Sequence, residues 1–318
     1  MSLLSIQAAT AGDELGKAPE GSVEQGGGSG GGSVSAQVQF ATNFKEEKGA
    51  AYIQPTDSSW KPPVCWTQPK FSPEQYKKET KKTSPVDPET GKTVPGWDKG
   101  KEFHEKDDGA WWYRTYAVDQ LKSGNLKPGD LSHCNSIPGI QWVEQGDAKP
   151  PNALSPKDLA GLAFAETKLP APPVTLRPTD HQIVNLGTHV KFEAPLEPVW
   201  VTATFNHFGI HMAATTVATP VGLRVDAGTE FADPQTCDYD LEKAGDGYRV
   251  DTSKSACNIA YKKSSGDGTY PLQAQITWKV TWTDSANPAG PPRKPELPDG
   301  LSTFEQDVSV KEVQSVNR

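Results

Sequence analysis

The sequence predicts a mainly β protein: a C-terminal immunoglobulin-like antiparallel β-sandwich, preceded by an irregular Trp/Pro-rich disulfide module with one short helix. Three observations carry this. Between Tyr270 and Thr283 the apolar residues Leu272, Ala274, Ile276, Trp278, Val280 and Trp282 alternate with polar ones, and a side-chain period of two lays one face on a core and leaves the other to water. Glycine (29) and proline (28) are abundant in the 318 residues, and their clusters separate short strand-like runs as turns do in β folds. Four cysteines are present, and Cys237 and Cys257 lie on short alternations that turn both thiols inward.

The elements follow in order. In residues 1–11, Leu3, Leu4 and Ile6 precede the small residues Ala8, Ala9, Thr10 and Ala11, a pattern expected at the end of an export signal whose beginning is missing. From there to residue 36, Gly, Ser and Glu dominate, with Gly26-Gly27-Gly28-Ser29-Gly30-Gly31-Gly32-Ser33 at the centre. Residues 1–36 therefore read as a disordered leader ending in a flexible tether, since nothing there buries enough surface to offset ordering.

Residues 37–153 hold Trp60, Trp66, Trp97, Trp111, Trp112 and Trp142 together with Cys65 and Cys134. Periodicity does not decide whether Trp111-Trp112-Tyr113-Arg114-Thr115-Tyr116 is a strand or a helix start. Most of these rings are expected to pack around a disulfide. Trp97, Trp111, Trp112 and Tyr113 are the candidate binding residues, because a flat apolar ring with a polar tip complements the C–H face of a sugar. The lysines from Lys77 to Lys106 are interleaved with acidic residues and read as a solvated mixed-charge loop.

Residues 154–197 open with the clearest helix start. Ser155 is a good N-cap, Pro156 suits the first helical position, Asp158 complements the positive end of the dipole and Leu154 staples onto Leu159. A helix of about three turns follows, and Pro170-Ala171-Pro172-Pro173 ends it. Residues 198–318 read as strands: Val199, Val201, Ala203 and Phe205 alternate, as do Val221, Leu223 and Val225. Ser264-Ser265-Gly266-Asp267-Gly268-Thr269 reads as a hairpin connection into the long strand, and the parity shift after Val310 suggests a bulge or a strand end.

Inward cysteines on neighbouring strands favour a Cys237–Cys257 disulfide, leaving Cys65 and Cys134 as a second pair. Three pairings are formally open, and four reduced, buried thiols in a cytosolic protein are the competing reading. Disulfides would place the chain in an oxidising, extracellular compartment.

Several segments together resemble a group of exported actinobacterial proteins of unknown function. They are Asp158-Leu159-Ala160 leading to Leu169-Pro170-Ala171-Pro172-Pro173, Cys237 with Cys257, Gly266-Asp267-Gly268-Thr269-Tyr270 running into Trp278-Lys279-Val280-Thr281-Trp282, and Val310-Lys311-Glu312-Val313-Gln314-Ser315-Val316. The likeness covers roughly the second half. It implies export, a sandwich like polycystic-kidney-disease or immunoglobulin-like modules, and a bond between Cys237 and Cys257. It implies no activity.

Chemistry is sparse. A net charge of −8 and a pI of about 5.3 argue against a general nucleic-acid binder, which needs a basic face. No run approaches the ~20 apolar residues of a membrane span. Gly91-Lys92-Thr93 resembles the end of a phosphate-binding loop, but Val86 stands where its first glycine belongs. His207 and His211 lack the glutamate of a zincin, and Arg249 occupies the closing position of the calcium-loop pattern that Asp238, Asp240 and Glu242 open. No nucleophile elbow, CxxC pair or cofactor motif is present, so no catalytic residue, metal or cofactor is assigned. The expectation is a secreted, non-enzymatic binding or assembly protein of the cell envelope or extracellular space. Its partner is expected to be a protein or glycan surface. The alternative is a carbohydrate-active hydrolase using two of the 40 acidic residues.

Overall fold

The computed structural model describes residues 22–24 (backbone), 38–45, 48–82, 90, 92, 101–117, 128–171 and 174–313. In chain order the principal elements are β1 (Ser22–Glu24), β2 (Gln39–Thr42), β3 (Gln54–Pro55), β4 (Cys65–Phe71), α1 (Pro73–Lys82), β5 (Gly109–Tyr116), β6 (Ile140–Glu144) and α2 (Pro156–Ala165). They continue with β7 (Val174–Arg177), β8 (Gly187–Phe192), β9 (Val199–His207), β10 (Ile210–Asp226), β11 (Thr236–Asp240), β12 (Ile259–Tyr261), β13 (Tyr270–Thr283) and β14 (Gly300–Val308).

The protein is mainly β and curls around one core. Eight strands form the large sheet in the order β1-β2-β9-β10-β13-β14-β3, with β11 also on β10. β13 lies inside it between β10 and β14, and its inward row Leu272, Ala274, Ile276, Trp278 and Val280 is fully buried. Val199, Val201, Ala203 and Phe205 of β9 face the same way. In β10 the register shifts between Pro220 and Gly222, so Leu223 and Val225 are buried whereas Val221 is exposed. The bulge turns a run that alternates in sequence into a strand with two parities.

A four-stranded sheet, ordered Ala232–Asp233, β12, β8 and β7, contributes Leu176, Val190, Phe192, Ile259 and Tyr261 to the same apolar cluster. Helix α2 packs against β9 and β10 beside it. Its capping box forms as expected: Ser155 N donates to Asp158 Oδ2 at 2.9 Å and Asp158 N donates to Ser155 Oγ at 3.3 Å. The Thr216 hydroxyl donates to Ala160 O at 2.9 Å, so the helix docks on β10 through a satisfied polar contact as well as apolar ones.

The connection 264–269 joins the two sheets and is not a hairpin, because β12 pairs within the smaller sheet and β13 within the larger. At the C-terminal end, β14 stops at Val308, and Val310–Lys311 then runs parallel to Gln182–Ile183. Val308 and Val310 are both buried. The parity shift in the sequence therefore marks a strand end.

A three-stranded sheet, β4-β5-β6, stands beside this body, joined to it where Leu154 N donates to Thr67 O at 2.9 Å. A second helix, α1, corrects the single-helix expectation. Ser72-Pro73-Glu74-Gln75 is a capping box: Ser72 N donates to Gln75 Oε1 at 2.9 Å and Gln75 N to Ser72 Oγ at 3.2 Å. Its charged sequence hid it, since Thr80 is the one buried residue of the helix. Most of the leader, including residues 1–21, lies outside the described residues, but Ser22–Glu24 pairs with β2. No helix among the described residues is long and apolar enough to cross a membrane.

Both disulfides are formed. Cys237 and Cys257, with Cα atoms 5.8 Å apart, tie β11 of the large sheet to the segment entering β12 of the smaller one. Cys65 and Cys134, with Cα atoms 6.1 Å apart, tie β4 to the 3₁₀ segment Pro128–Ser136.

Candidate functional site

Strand alternation in β5 separates the candidate aromatic residues. Trp111 pairs with Trp142 of β6 and Tyr113 with Ile140, so Trp111 and Tyr113 share a face, while Trp112 points to the other side and is buried. Trp97 lies outside the described residues. On the Trp111 face the rings cover one another. The Tyr76 ring of α1 lies 4.2 Å from Trp111, Trp111 lies 5.6 Å from Trp142, and the His104 imidazole stacks on Trp142 at 4.4 Å and 4°. His104 holds this place from a left-handed backbone (φ 56°), with Nδ1 2.8 Å from Asp107 Oδ2. Tyr113 packs edge-on to Phe71, with the Lys70 ammonium 5.1 Å from its ring centre. Burial, with smaller contributions from Tyr76 and Glu79, pushes the Tyr113 phenol up to about 12. These ring faces are engaged in packing.

A second aromatic group is open. Ala51–Tyr52 pairs with Lys168–Leu169, and β3 pairs with β14. The single residue between them, Ile53, turns inward and is buried, so alternation sends Tyr52 and Gln54 outward. Ile53 can sit there because the β14 residue facing it is Gly300, where an added Cβ would come within 2.2 Å of Ile53 Cδ1. The chain then turns at Asp57, whose carboxylate accepts from Ser59 N at 2.9 Å and Ser59 Oγ at 2.6 Å. The Ser59 hydroxyl first, then its backbone N–H, hold the Asp57 carboxyl below its ordinary range. This Asx turn delivers Trp60 against Phe164 at the end of α2, ring centres 4.6 Å apart. Pro63 packs below on Gly161, where a Cβ would lie 2.7 Å from the proline ring.

The result is an open cleft of about 480 Å³ lined by Tyr52, Ile53, Gln54, Pro55, Ser58, Trp60, Lys61, Pro62, Phe164 and Ala165. Tyr52 is 44% exposed, and the Lys168 ammonium stands 5.3 Å from its ring centre. Three aromatic rings and two prolines line it with apolar area, and Gln54, Ser58 and Lys61 supply an amide, a hydroxyl and an ammonium. That mixture suits a ligand with apolar ring faces and a polar edge. No carboxylate is among the ten lining residues, so the cleft lacks the paired acids of glycoside hydrolysis. Sequence reasoning missed Tyr52 altogether and counted Trp60 only as packing. The readable signal was the turn Asp57-Ser58-Ser59 immediately before Trp60.

Carboxylates do gather elsewhere. A cavity of about 330 Å³ beside the Cys237–Cys257 bridge is lined by Asp238, Asp240, Glu242 and Asp251, with Tyr239, Lys254 and others. Asp251 caps the turn Thr252–Lys254, and the backbone N–H and hydroxyl of Ser253 hold its carboxyl below the usual range. That is the reverse of what a general acid needs, since such a group must keep its proton near neutrality. The Tyr239 phenol, raised mainly by burial, lines this cavity and donates to Cys257 O at 2.9 Å.

Comparison with known proteins finds no matching family model, no matching curated protein and no matching solved structure.

Proposed function

We propose that this protein is a secreted, non-enzymatic binding protein of the cell envelope or extracellular space, and that the Tyr52–Trp60 cleft is where it grips a glycan chain. The cleft carries this reading. It exposes an aromatic face beside amide, hydroxyl and ammonium groups, with no acid pair to cleave what it holds. Secretion is supported by the two disulfides, which persist in oxidising compartments, and by the resemblance of the second half to exported actinobacterial proteins. We further read the sandwich as an immunoglobulin-like scaffold, supported by a disulfide that ties one sheet to the other.

The test is co-sedimentation with insoluble cell-wall polysaccharide. Wild-type protein is expected to pellet without releasing reducing sugar, and Tyr52→Ala to bind about tenfold more weakly, the loss of one aromatic contact worth ~1.4 kcal/mol. Release of sugar would move the protein to the hydrolase reading, and undiminished binding by Tyr52→Ala would remove the cleft from it.

A further inference from the structure

A strand at the edge of a sheet keeps a row of backbone N–H and C=O groups that another chain can bind, and folds guard such edges with short strands, prolines and charges. Most edges of this protein are guarded. In the large sheet β1 has three residues, and β3 has two and ends in Pro55. In the four-stranded sheet β7 lies between Pro172-Pro173 and Pro178, and Ala232–Asp233 runs straight into Pro234. In the three-stranded sheet β4 contains Pro69, and its outer side is already bonded where Thr67 N donates to Asn152 O at 2.8 Å.

Strand β6 at the other edge of that sheet has none of these guards. Ile140-Gln141-Trp142-Val143-Glu144 carries no proline and a single charge, at its end, and its first four residues are partly open. Among the described residues β5 is its one strand partner. The ladder decides which backbone groups are left over. Arg114 N donates to Gly139 O at 3.1 Å and Gln145 N to Asp108 O at 2.8 Å, in the same register that pairs Trp112 with Gln141 and Ala110 with Val143. The backbones of Gln141 and Val143 therefore bond to β5, and those of Ile140, Trp142 and Glu144 face away from it.

We propose that β6 is a dimer seam, on which a second copy of this chain lays its own β6 antiparallel about a two-fold axis at Trp142. The strand is complementary to itself. In that register the N–H and C=O of Trp142 pair with those of the second copy's Trp142, and each Glu144 N–H donates to the other copy's Ile140 carbonyl. Glu144 lies opposite Ile140, so the two carboxylates stand at opposite ends of the seam and never meet. The two Trp142 rings come side by side on the face that already carries Trp111 and His104, which extends the ring row across the axis. The other five-residue edge, β11, lacks this complementarity: centred on Asp238, it would set one carboxylate against another. A seam of five residues is smaller than the ~1,200 Å² at which stable interfaces begin, so the dimer is a weak one that forms as concentration rises.

The test is sedimentation equilibrium of the full chain from micromolar to near-millimolar concentration, with amide hydrogen exchange read at both ends of the range. The wild-type mass is expected to rise from that of one chain toward that of two. Over the same range the amides of Ile140, Trp142 and Glu144 should gain protection, while those of Gln141 and Val143, bonded to β5 throughout, should not change. Two variants at one position separate the seam from a loss of folding. Ile140→Glu sets a carboxylate against Glu144 of the other copy, and Ile140→Lys sets an ammonium there. Each cross-strand pair occurs twice, so the Lys variant should dimerise about tenfold more tightly than the Glu variant. Both lose the same isoleucine, and a purely structural effect would move them together. A constant single-chain mass, equal dimerisation by the two variants, or protection gained at another segment would each overturn the proposal. So would a chain that stays single and protects Ile140 and Trp142 only when mixed with a foreign extended peptide, since the edge would then belong to another protein.

Discussion

Trp111 and Trp60 come from the same Trp-rich half of the chain, yet one is walled in by rings and the other fronts a cleft. The difference is set by what lies above each. Over Trp111, helix α1 lowers Tyr76 and the segment before β5 brings Phe103 and His104, and the Lys77–Glu105 ion pair at 2.7 Å ties those two covers together. Around Trp60, the Asx turn at Asp57 presses the ring on Phe164 from one side, and the opposite side opens toward Tyr52. The difference between the two regions is thus one of cover: rings on several sides of Trp111, and a cleft in front of Trp60 with Tyr52 44% exposed.

The largest expected effect breaks the comparison if it fails. Trp111→Ala should lower unfolding free energy by ~3 kcal/mol, the lower end for a large aromatic because its ring is only partly buried. Tyr52→Ala should stay within about 0.5 kcal/mol, as surface changes do. Urea denaturation reads both as shifts in midpoint at constant slope. Polysaccharide binding should invert the ranking, with Trp111→Ala near wild type. A Tyr52→Ala midpoint below that of Trp111→Ala would mean that the cleft is the structural region and the ring cluster the open one.

The large sheet was legible because each inward side chain of β13 obeys a local rule of two. Helix α2 was legible for a similar reason, through Ser155-Pro156-Lys157-Asp158. Ser72-Pro73-Glu74-Gln75 carries the same signature, and went unread because lysines and glutamates follow it in place of an apolar stripe. Which sheet a strand joins is another kind of fact. Nothing between Ser264 and Thr269 distinguishes a hairpin from a crossing between layers, since both need the same turn residues. The cleft was unreadable for that reason too: Tyr52, Trp60 and Phe164 meet only because β3 finds β14 and α2 docks on β10. The pairing of Cys237 with Cys257 fell between these cases. Alternation gave the inward direction of Cys237, buried on β11, whereas Cys257 lies just before β12 and is only partly buried, so the fold and not a strand period brings it to its partner.

A smaller change sharpens the contrast by loosening the cover over Trp111 without touching it. Ser72→Ala removes the hydroxyl that accepts from Gln75 N and should cost ~1 kcal/mol. The helical part of the circular-dichroism signal should weaken, and polysaccharide binding should not change. If binding fell together with the helix signal, the two regions would be coupled, and the cleft would depend on the packing of α1.

The smallest effect needs alkali. Because burial raises the Tyr113 phenol from 10 to about 12 in the folded chain, the folded state resists losing that proton more than the unfolded state does. Its contribution to stability is therefore complete below pH 10 and is lost as pH climbs toward about 12. Tyr113→Phe carries no such proton. Its unfolding midpoint should match wild type near neutrality and fall less steeply with pH across that alkaline window. The tyrosinate absorbance of the folded variant should lack one late-titrating step. Equal slopes in the two proteins would mean that water reaches the Tyr113 hydroxyl freely, and the ring cluster would then be a surface with the same standing as the cleft.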